Sequence, residues 1–355
     1  VAHVVYVHTR KAPTLKPPEY AGRIPMRNES KPVVTIAIPT YNRAGQFLRT
    51  ALESALNQTY DRVDVVVVDN CSTDGTPELV RSYQAGYPGL RYVRNSENVG
   101  PFRNFQRCLD AASGSYFLML HDDDAIDTDM VATCLQAANY DTKWSYIRTG
   151  TRIVDEQGRT KCEHPNRAVG LRREAYLHAW LDTRVYWYFS STLLNTELLR
   201  VVGGFPADEL LVDISTFARM VFQADGLDLR AVKASCREHD MRITTRTDLQ
   251  EWIDDYCRHR DLIVRLSDEP WRAGMRSRAN EFFSLICCMQ ADALPDSYKR
   301  FRAYIEIGRA FGFRHMPHPV SKALGVLLPS SIASRLRLLV REFRGKVQNA
   351  RSVEV

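Results

Sequence analysis

Five aspartates fall within eight residues: Asp122, Asp123, Asp124, Asp127 and Asp129. The first three follow the apolar run Tyr116–Leu120 after a single histidine, His121, so a loop at the end of a strand gathers strong negative charge. Adjacent carboxylates repel unless a cation joins them. Oxygen ligands of this kind suit Mg2+ or Mn2+, which keep waters and bridge to substrate phosphates. Asp127 and Asp129 read instead as the acids of a solvated turn leading into a helix. Another carboxylate, Asp69, ends the run Val65–Val68, where it is placed to accept hydrogen bonds from a nucleobase N–H or a ribose hydroxyl. Asp74 and Gly75, just beyond it, read as turn formers. Tyr186, Trp187, Tyr188 and Phe189 are consecutive aromatics, suited either to stacking on sugar faces or to a core strand with alternating sides.

Such residues need a scaffold that brings strand ends together. A β-branched run at Val33–Ile38 is stopped by Pro39, and the pairs Phe47/Leu48, Ala51/Leu52 and Ala55/Leu56 mark one face of a helix. Val63–Val68 is apolar almost throughout, as in a strand buried on both sides. Thr76-Pro77-Glu78 is a helix start, and the helix runs toward Tyr87. Leu90–Arg94, Phe102–Ala112 and Tyr116–Leu120 continue as strand, helix and strand. Strand starts recur about every 27 residues, the length of a right-handed crossover to a parallel neighbour. This predicts an α/β fold with a Rossmann-like, mostly parallel sheet flanked by helices. Ligands of such sheets bind beyond the C-terminal strand ends. Those ends carry Thr40-Tyr41-Asn42-Arg43, Asp69-Asn70 and His121-Asp122-Asp123-Asp124. Neither a G-x-G-x-x-G after the first strand nor a P-loop is present, which disfavours dinucleotide binding and P-loop chemistry.

Further on, the pattern predicts strands at Trp144–Arg148 and Thr151–Val154 and helices at Arg172–Asp182 and Ile214–Gln223. From Asp248 it is helical: Asp248–Leu266, Trp271–Ala291, Tyr298–Ala310 and Ile332–Arg344, with breaks at prolines 295, 317, 319 and 329. The expected organisation is an irregular lead-in over 1–31, a catalytic domain over 32–245 and a helical C-terminal region over 246–355.

Composition narrows the classes. The 355 residues are 45% hydrophobic and 25% charged, an ordinary globular balance. No run approaches the ~18 apolar residues of a membrane-spanning helix, which argues against an integral membrane protein. The eight cysteines are scattered without a C-x-x-C pair, as expected of free thiols in a reducing cytosol. The net charge of +6 becomes informative near the end of the chain. Arg335, Arg337, Arg341, Arg344, Lys346 and Arg351 face one acid, Glu342, while Ile332, Leu336, Leu339 and Phe343 share a helix face. That pattern fits an interfacial helix on anionic lipid or a helix packed on the core with a solvated basic side. Nucleic acid is not an expected partner, because the presumed cleft is acidic.

From about Pro32 to Thr245 the chain resembles a family 2 glycosyltransferase with the GT-A fold. The resemblance rests on Ile38-Pro39-Thr40-Tyr41-Asn42-Arg43, Val68-Asp69-Asn70-Cys71-Ser72-Thr73-Asp74-Gly75-Thr76, Asn98-Val99-Gly100, and Gly114-Ser115-Tyr116 leading into His121–Asp124. Gly203-Gly204-Phe205, Asp213 with Arg219, and Arg237-Glu238-His239 follow in order. The version of the second signature is similar to that of transferases decorating bacterial O-antigen and capsule chains. The resemblance implies a nucleotide pocket lined by Pro39, Tyr41, Asn42, Arg43 and Asp69, with Asn98 and Arg103 nearby and Asp122 on the ribose side. It implies Mn2+ or Mg2+ held by Asp123, with His239 as a further metal or phosphate contact, and Asp213 as general base. Trp187 and Tyr188 precede the family's acceptor-side region and are expected to contact the acceptor. His121 stands where many members have an acid, and Val212 precedes Asp213 where an acid is frequent.

The implied reaction is metal-assisted, inverting transfer from a UDP or dTDP sugar to a hydroxyl of a saccharide or lipid-linked saccharide. The expected setting is bacterial surface polysaccharide synthesis, in the cytoplasm or peripherally at the inner face of the cell membrane. A sugar nucleotidyltransferase is a competing class, but the glycine-rich loop expected after its first strand is missing. A non-catalytic glycan- or membrane-binding protein on the same fold is the other. The helical C-terminal region is left with two uses, a homodimer interface or burial on the core.

Overall fold

A computed structural model describes residues 31–207, 209–238, 249–294 and 296–317. The lead-in expected before residue 31, His239 and the basic helix expected at Ile332–Arg344 lie outside these residues. The described residues from Pro32 onward form one compact unit.

Its first half alternates strand and helix. The elements are β1 (Val34–Thr40), α1 (Gln46–Leu56), β2 (Val63–Asp69), α2 (Thr76–Gly86), β3 (Arg91–Arg94), α3 (Pro101–Asp110) and β4 (Tyr116–Met119). β1 pairs in parallel with β2 and β4, and β2 with β3. Strand side chains point alternately to opposite faces, and here both faces are dry. Val34, Ile36, Ile38, Val65, Val67, Tyr116 and Leu118 enter one core. Ala37, Val66, Val68, Phe117 and Met119 enter another. The register sets Thr40 beside Asp69 and Asp69 beside Arg94, so the polar strand ends line one edge.

The second half is mixed. It comprises β5 (Ala125–Ile126), α4 (Met130–Ala137), β6 (Tyr146–Val154), β7 (Thr160–His164), α5 (Arg173–Leu181), β8 (Thr192–Asn195), α6 (Thr196–Val201), α7 (Val212–Gln223) and β9 (Leu227–Arg237). The sheet order is β3, β2, β1, β4, β8, β6, β9, β5, with β7 on β6. The expected strands at 144–148 and 151–154 are one strand, β6, whose pairing with β9 shifts register at Arg148/Gly150 and Gly150/Thr151. Gly150, at this shift, also lets the chain at 164–166 approach: a Cβ there would lie 2.7 Å from the His164 carbonyl oxygen and 2.9 Å from the Asn166 nitrogen. The result is an α/β fold with a helical C-terminal region, as expected.

That region contains α8 (Leu249–Leu266), α9 (Glu269–Asp292) and α10 (Ser297–Phe311). Trp252, Ile253, Tyr256, Met275, Phe283, Ile307 and Phe311 form a third core together with Leu177 and Leu181 of α5 and Ile214 and Ala218 of α7. No helix among the described residues is long and apolar enough to cross a membrane.

β6 and β9 are joined by a buried ion pair. Arg148, 1% exposed, donates from Nε and Nη2 to Asp228 Oδ1 at 2.8 and 2.6 Å, and its remaining donors meet Asn166, Tyr176 and the Tyr186 carbonyl. Removing one member of such a pair strands the other charge in the interior. Arg148→Ala is expected to cost about 3–5 kcal/mol in denaturant unfolding. A loss below about 1 kcal/mol, the scale of a surface pair, would contradict this account.

Candidate active site

Two loops at the polar edge are locked together. Asn42 takes a left-handed φ of 52°, a conformation asparagine tolerates. Its backbone N–H donates to Ser72 Oγ at 2.9 Å, and its Oδ1 accepts from the Thr73 N–H at 2.8 Å. The Arg43 N–H donates to Thr76 Oγ1, and the Ala44 N–H to Asp74. Asn42 thus fixes the distance between the two loops. Tyr41, 43% exposed, is the residue of this signature left with an open ring, while Pro39 is buried in β1.

Asp69 is fully buried. Its Oδ1 accepts from the Ser72 N–H at 2.9 Å and hydroxyl at 2.5 Å, and its Oδ2 from the Tyr92 hydroxyl at 2.5 Å. Arg94 Nε lies 3.4 Å from Oδ2. Asp69 therefore spends its lone pairs holding the β2–α2 loop, which differs from the open acceptor expected of it. Next to it, Asn70 donates to Asn98 Oδ1 and the Gly100 carbonyl and accepts from Asn95 and the Val99 N–H. Asn98 is tied into this amide ladder, and Arg103 is exposed in the first turn of α3. Asn95 and Asn104 complete the ladder, Asn104 donating to the Val68 carbonyl. Sequence reasoning singled out Asn70 only as a strand-end residue and passed over Asn95 and Asn104.

The acidic loop follows β4. Asp122 Oδ2 accepts from the Thr40 hydroxyl at 2.7 Å, and Arg43 Nε lies 3.7 Å from Oδ1. Asp124, 3% exposed, accepts from the Ser190 hydroxyl at 2.6 Å and the Arg237 N–H at 3.0 Å. Arg237 Nε also donates to the Asp123 carbonyl at 2.9 Å. Burial, and then the neighbouring Asp123 charge, pushes the Asp122 carboxyl up to about 6 against the pull of Arg43. The same two causes raise Asp124. Thr40 and Arg237 lay within recognisable signatures; Ser190 gave no signal in the sequence.

His121, Asp123 and Asp124 each offer a ligand atom, and these atoms lie within 4.8 Å of one another. The His121 ring stacks on Phe105 and meets Phe189 edge-on, and its Nε2 is buried without a hydrogen-bond partner. Its Nδ1 lies 3.9 Å from Asp124 Oδ2, and an imidazole nitrogen beside crowded carboxylates fits a divalent cation. The residue that departs from the family pattern thus brings a ligand atom of its own.

Asp213 sits in the first turn of α7. Burial raises its carboxyl above the ordinary range, while the Ile214 N–H, His259 and His121 pull it down. Phe189 bridges the acidic loop to this helix, meeting His121 on one side and stacking on Phe217 at 5.5 Å on the other. Phe205 of the Gly-Gly-Phe signature packs against Phe105, Phe117 and Phe189. Gly204 precedes it at φ 62°, and a Cβ there would lie 2.3 Å from Gln106 Oε1. Arg219 pairs with Glu209 at 3.0 Å, away from the acidic loop's ion pairs. The expected acceptor aromatics divide. The Trp187 ring lies 3.7 Å from that of Phe217 and also contacts Tyr176 and Trp180, so it belongs to the core rather than to an open sugar platform. Tyr188 is half-buried, and Tyr186 is 46% exposed.

Comparison with known proteins names the class. Residues 35–198 match the family model described as glycosyl transferase family 2. Over that stretch, 46% of its length, the chain is similar to this family. It is 38% identical over 179 residues to the abequosyltransferase RfbV of Salmonella typhimurium, covering 46% of this chain and 53% of that one. The chain spans about half the length of curated relatives of this kind. Among solved structures, S. aureus TarS 1-349 in complex with UDP-GlcNAc superposes with a TM-score of 0.60 at 16% identity, over 87% of each chain. The mannosyltransferase PcManGT of Pyrobaculum calidifontis, in complex with GDP-Man and Mn2+, does so at 0.50 and 21% identity, over 90% and 88%. These likenesses show the GT-A fold.

Cation binding must displace the protons that Asp122 and Asp124 hold more tightly than the unfolded chain does. In the metal-free protein Asp122 therefore costs stability as pH rises from about 4 to above 6, Asp124 adds a cost of the same sign, and a bound cation removes it. Mn2+ should raise the melting temperature at about pH 7.5 and lose most of that effect by about pH 5. Equal shifts at both pH values would exclude this loop as the site.

Proposed function

We propose that the chain is an inverting glycosyltransferase acting in bacterial surface polysaccharide synthesis, with a UDP or dTDP sugar as donor and a hydroxyl of a saccharide or lipid-linked saccharide as acceptor. The observation that carries the reading is the pairing of a crowded acidic loop with a separate, largely buried carboxylate, Asp213, linked through His121, Phe189 and Phe217. The family match and the abequosyltransferase relative support the reaction class. The UDP-GlcNAc bound to TarS supports UDP as first choice of nucleotide.

In this reading Tyr41 stacks on the base. Asn42, Asp69 and Asn98 hold the loops that form the pocket, and Arg43, Arg103 and Asp122 face the ribose and phosphates. Asp123, Asp124 and His121 would hold Mn2+ or Mg2+, with His239 as a further candidate. When bound, the cation supplies charge neutralisation for the departing diphosphate. Asp213 removes the acceptor hydroxyl proton as that oxygen attacks the anomeric carbon. The bond from that carbon to the diphosphate oxygen breaks, its electron pair leaves with the nucleotide, and the configuration inverts. The transition state has oxocarbenium character. A carboxyl raised by burial is a stronger base than an exposed one. Tyr186 and Tyr188, rather than Trp187, provide aromatic surface for the acceptor.

Thermal shifts with UDP, dTDP, GDP and CMP, each with and without Mn2+, test the donor. A nucleotide at a hundred times Kd adds about 2.7 kcal/mol of apparent stability. One metal-dependent winner is expected, with the Mn2+ effect lost in Asp123→Ala; no winner would count against the transferase reading. Asp213→Asn should keep nucleotide affinity and lose roughly 10²–10⁴-fold in kcat. Near-normal turnover in that variant would remove Asp213 from the mechanism.

A further inference from the structure

Asp213 lies two residues beyond Leu211, the residue that opens α7. Leu211 has non-helical φ/ψ of −109° and 54°, and no side chain caps the helix start. Its carbonyl accepts from the Ile214 and Ser215 N–H groups, so the Leu211 peptide sets the direction in which the first turn leaves. Both sides of that residue's backbone are gripped from α8, more than forty positions downstream. The Leu211 N–H donates to Asp255 Oδ2 at 3.0 Å, and the Leu211 carbonyl lies 2.8 Å from His259 Nε2.

Asp255 and His259 stand one helical turn apart on α8, on the same face, and are 0% and 1% exposed. The other ring nitrogen, Nδ1, lies 2.7 Å from the Asp255 carbonyl. Carbonyl oxygens only accept, so the ring donates wherever it bonds to one of them. Two carboxylates flank the ring: Asp255 Oδ2 at 3.6 Å and Glu209 Oε2 at 3.8 Å. Arg219 and Arg258 anchor these acids in turn, at 3.0 and 2.6 Å. Burying so many charges is costly, and a well-packed apolar contact would hold two helices together at least as well. What the polar arrangement adds is a fixed direction for one peptide.

We propose that Asp255 and His259 are positioning residues for transfer, clamping the Leu211 backbone so that the first turn of α7 presents Asp213 to the acceptor hydroxyl. The inference rests on the reading of Asp213 as general base. It gives the helical C-terminal region a part in the chemistry without contact to either substrate.

The test pairs His259→Gln, whose amide can still donate to the Leu211 carbonyl, with His259→Met, which has no donor. Each is made alone and together with Asp213→Asn. Hydrogen exchange of the amides at 213–216 needs no substrate. It should quicken in His259→Met and stay near wild type in His259→Gln, with β1, β2 and β4 unchanged in both. Turnover is read as nucleoside diphosphate release from the sugar donor of whichever nucleotide wins the thermal panel. His259→Met should lower kcat by roughly 10–100-fold with nucleotide Kd unchanged, the scale of a small misplacement of a reacting group. In the Asp213→Asn background the same change should cost less than about twofold, because the clamp acts through the carboxylate already removed. Unchanged exchange in His259→Met, or equal losses of turnover in the two backgrounds, would overturn the proposal. Full turnover in Asp213→Asn alone would instead overturn the assignment of the base, while the exchange result would still judge the clamp.

Discussion

Repulsion among the carboxylates that follow β4 is the constraint around which the site is arranged. Asp122, Asp123 and Asp124 are consecutive, and burial denies the outer two the water that would screen them. Each is given donors from a different part of the chain: Thr40 and Arg43 for Asp122, Ser190 and the Arg237 N–H for Asp124. These donors hold the carboxylates in place without cancelling their charge, since both carboxyls remain raised. A residual negative potential of this kind favours a divalent cation.

The parallel half of the sheet was legible because its physics is local. Val34–Thr40 and Val63–Asp69 are apolar on both faces, and the helices between them carry their own start signals, such as Thr76-Pro77-Glu78. Once those strands are recognised, the rule that ligands sit beyond their C-terminal ends selects Thr40–Arg43, Asp69–Asn70 and His121–Asp124 without further information. Elements β7, β8 and β9 were not legible in the same way. β7 is mostly exposed and lacks an apolar face, β8 has four residues, and β9 mixes lysine and arginine among its buried positions. Their strand identity comes from pairing with β6, a tertiary choice that no short window contains.

Side-chain roles were less visible than side-chain identities. Asp69 and Asn42 were singled out by type and spacing, but whether they face a ligand or a neighbouring loop depends on where Ser72, Thr73 and Tyr92 come to rest. Trp187 shows the same limit. Four aromatics in a row suit a sugar platform, yet the choice between platform and core is made by Phe217, thirty positions away. Ser190, which donates to Asp124, sits in a short 3-10 turn with nothing in its sequence to mark it.

The helical region raises a different point about boundaries. The change from mixed to helical pattern near residue 245 is real in the sequence, but the third core runs across it, with Leu177, Leu181, Ile214 and Ala218 on one side and Trp252, Ile253 and Phe283 on the other. α7 carries Asp213 on its first turn, sends Phe217 toward the sheet's second core and sends Ile214 and Ala218 toward the third. A helix wedged between two cores cannot shift toward one without opening a gap at the other, because packed interiors do not deform continuously. Apolar packing of that kind fixes where the helix lies. It resists rotation about the helix axis less well, and the hydrogen bonds from Asp255 and His259 to the Leu211 peptide are directional in the sense that packing is not. The position of the carboxylate is then set by the two cores together and its aim by the clamp.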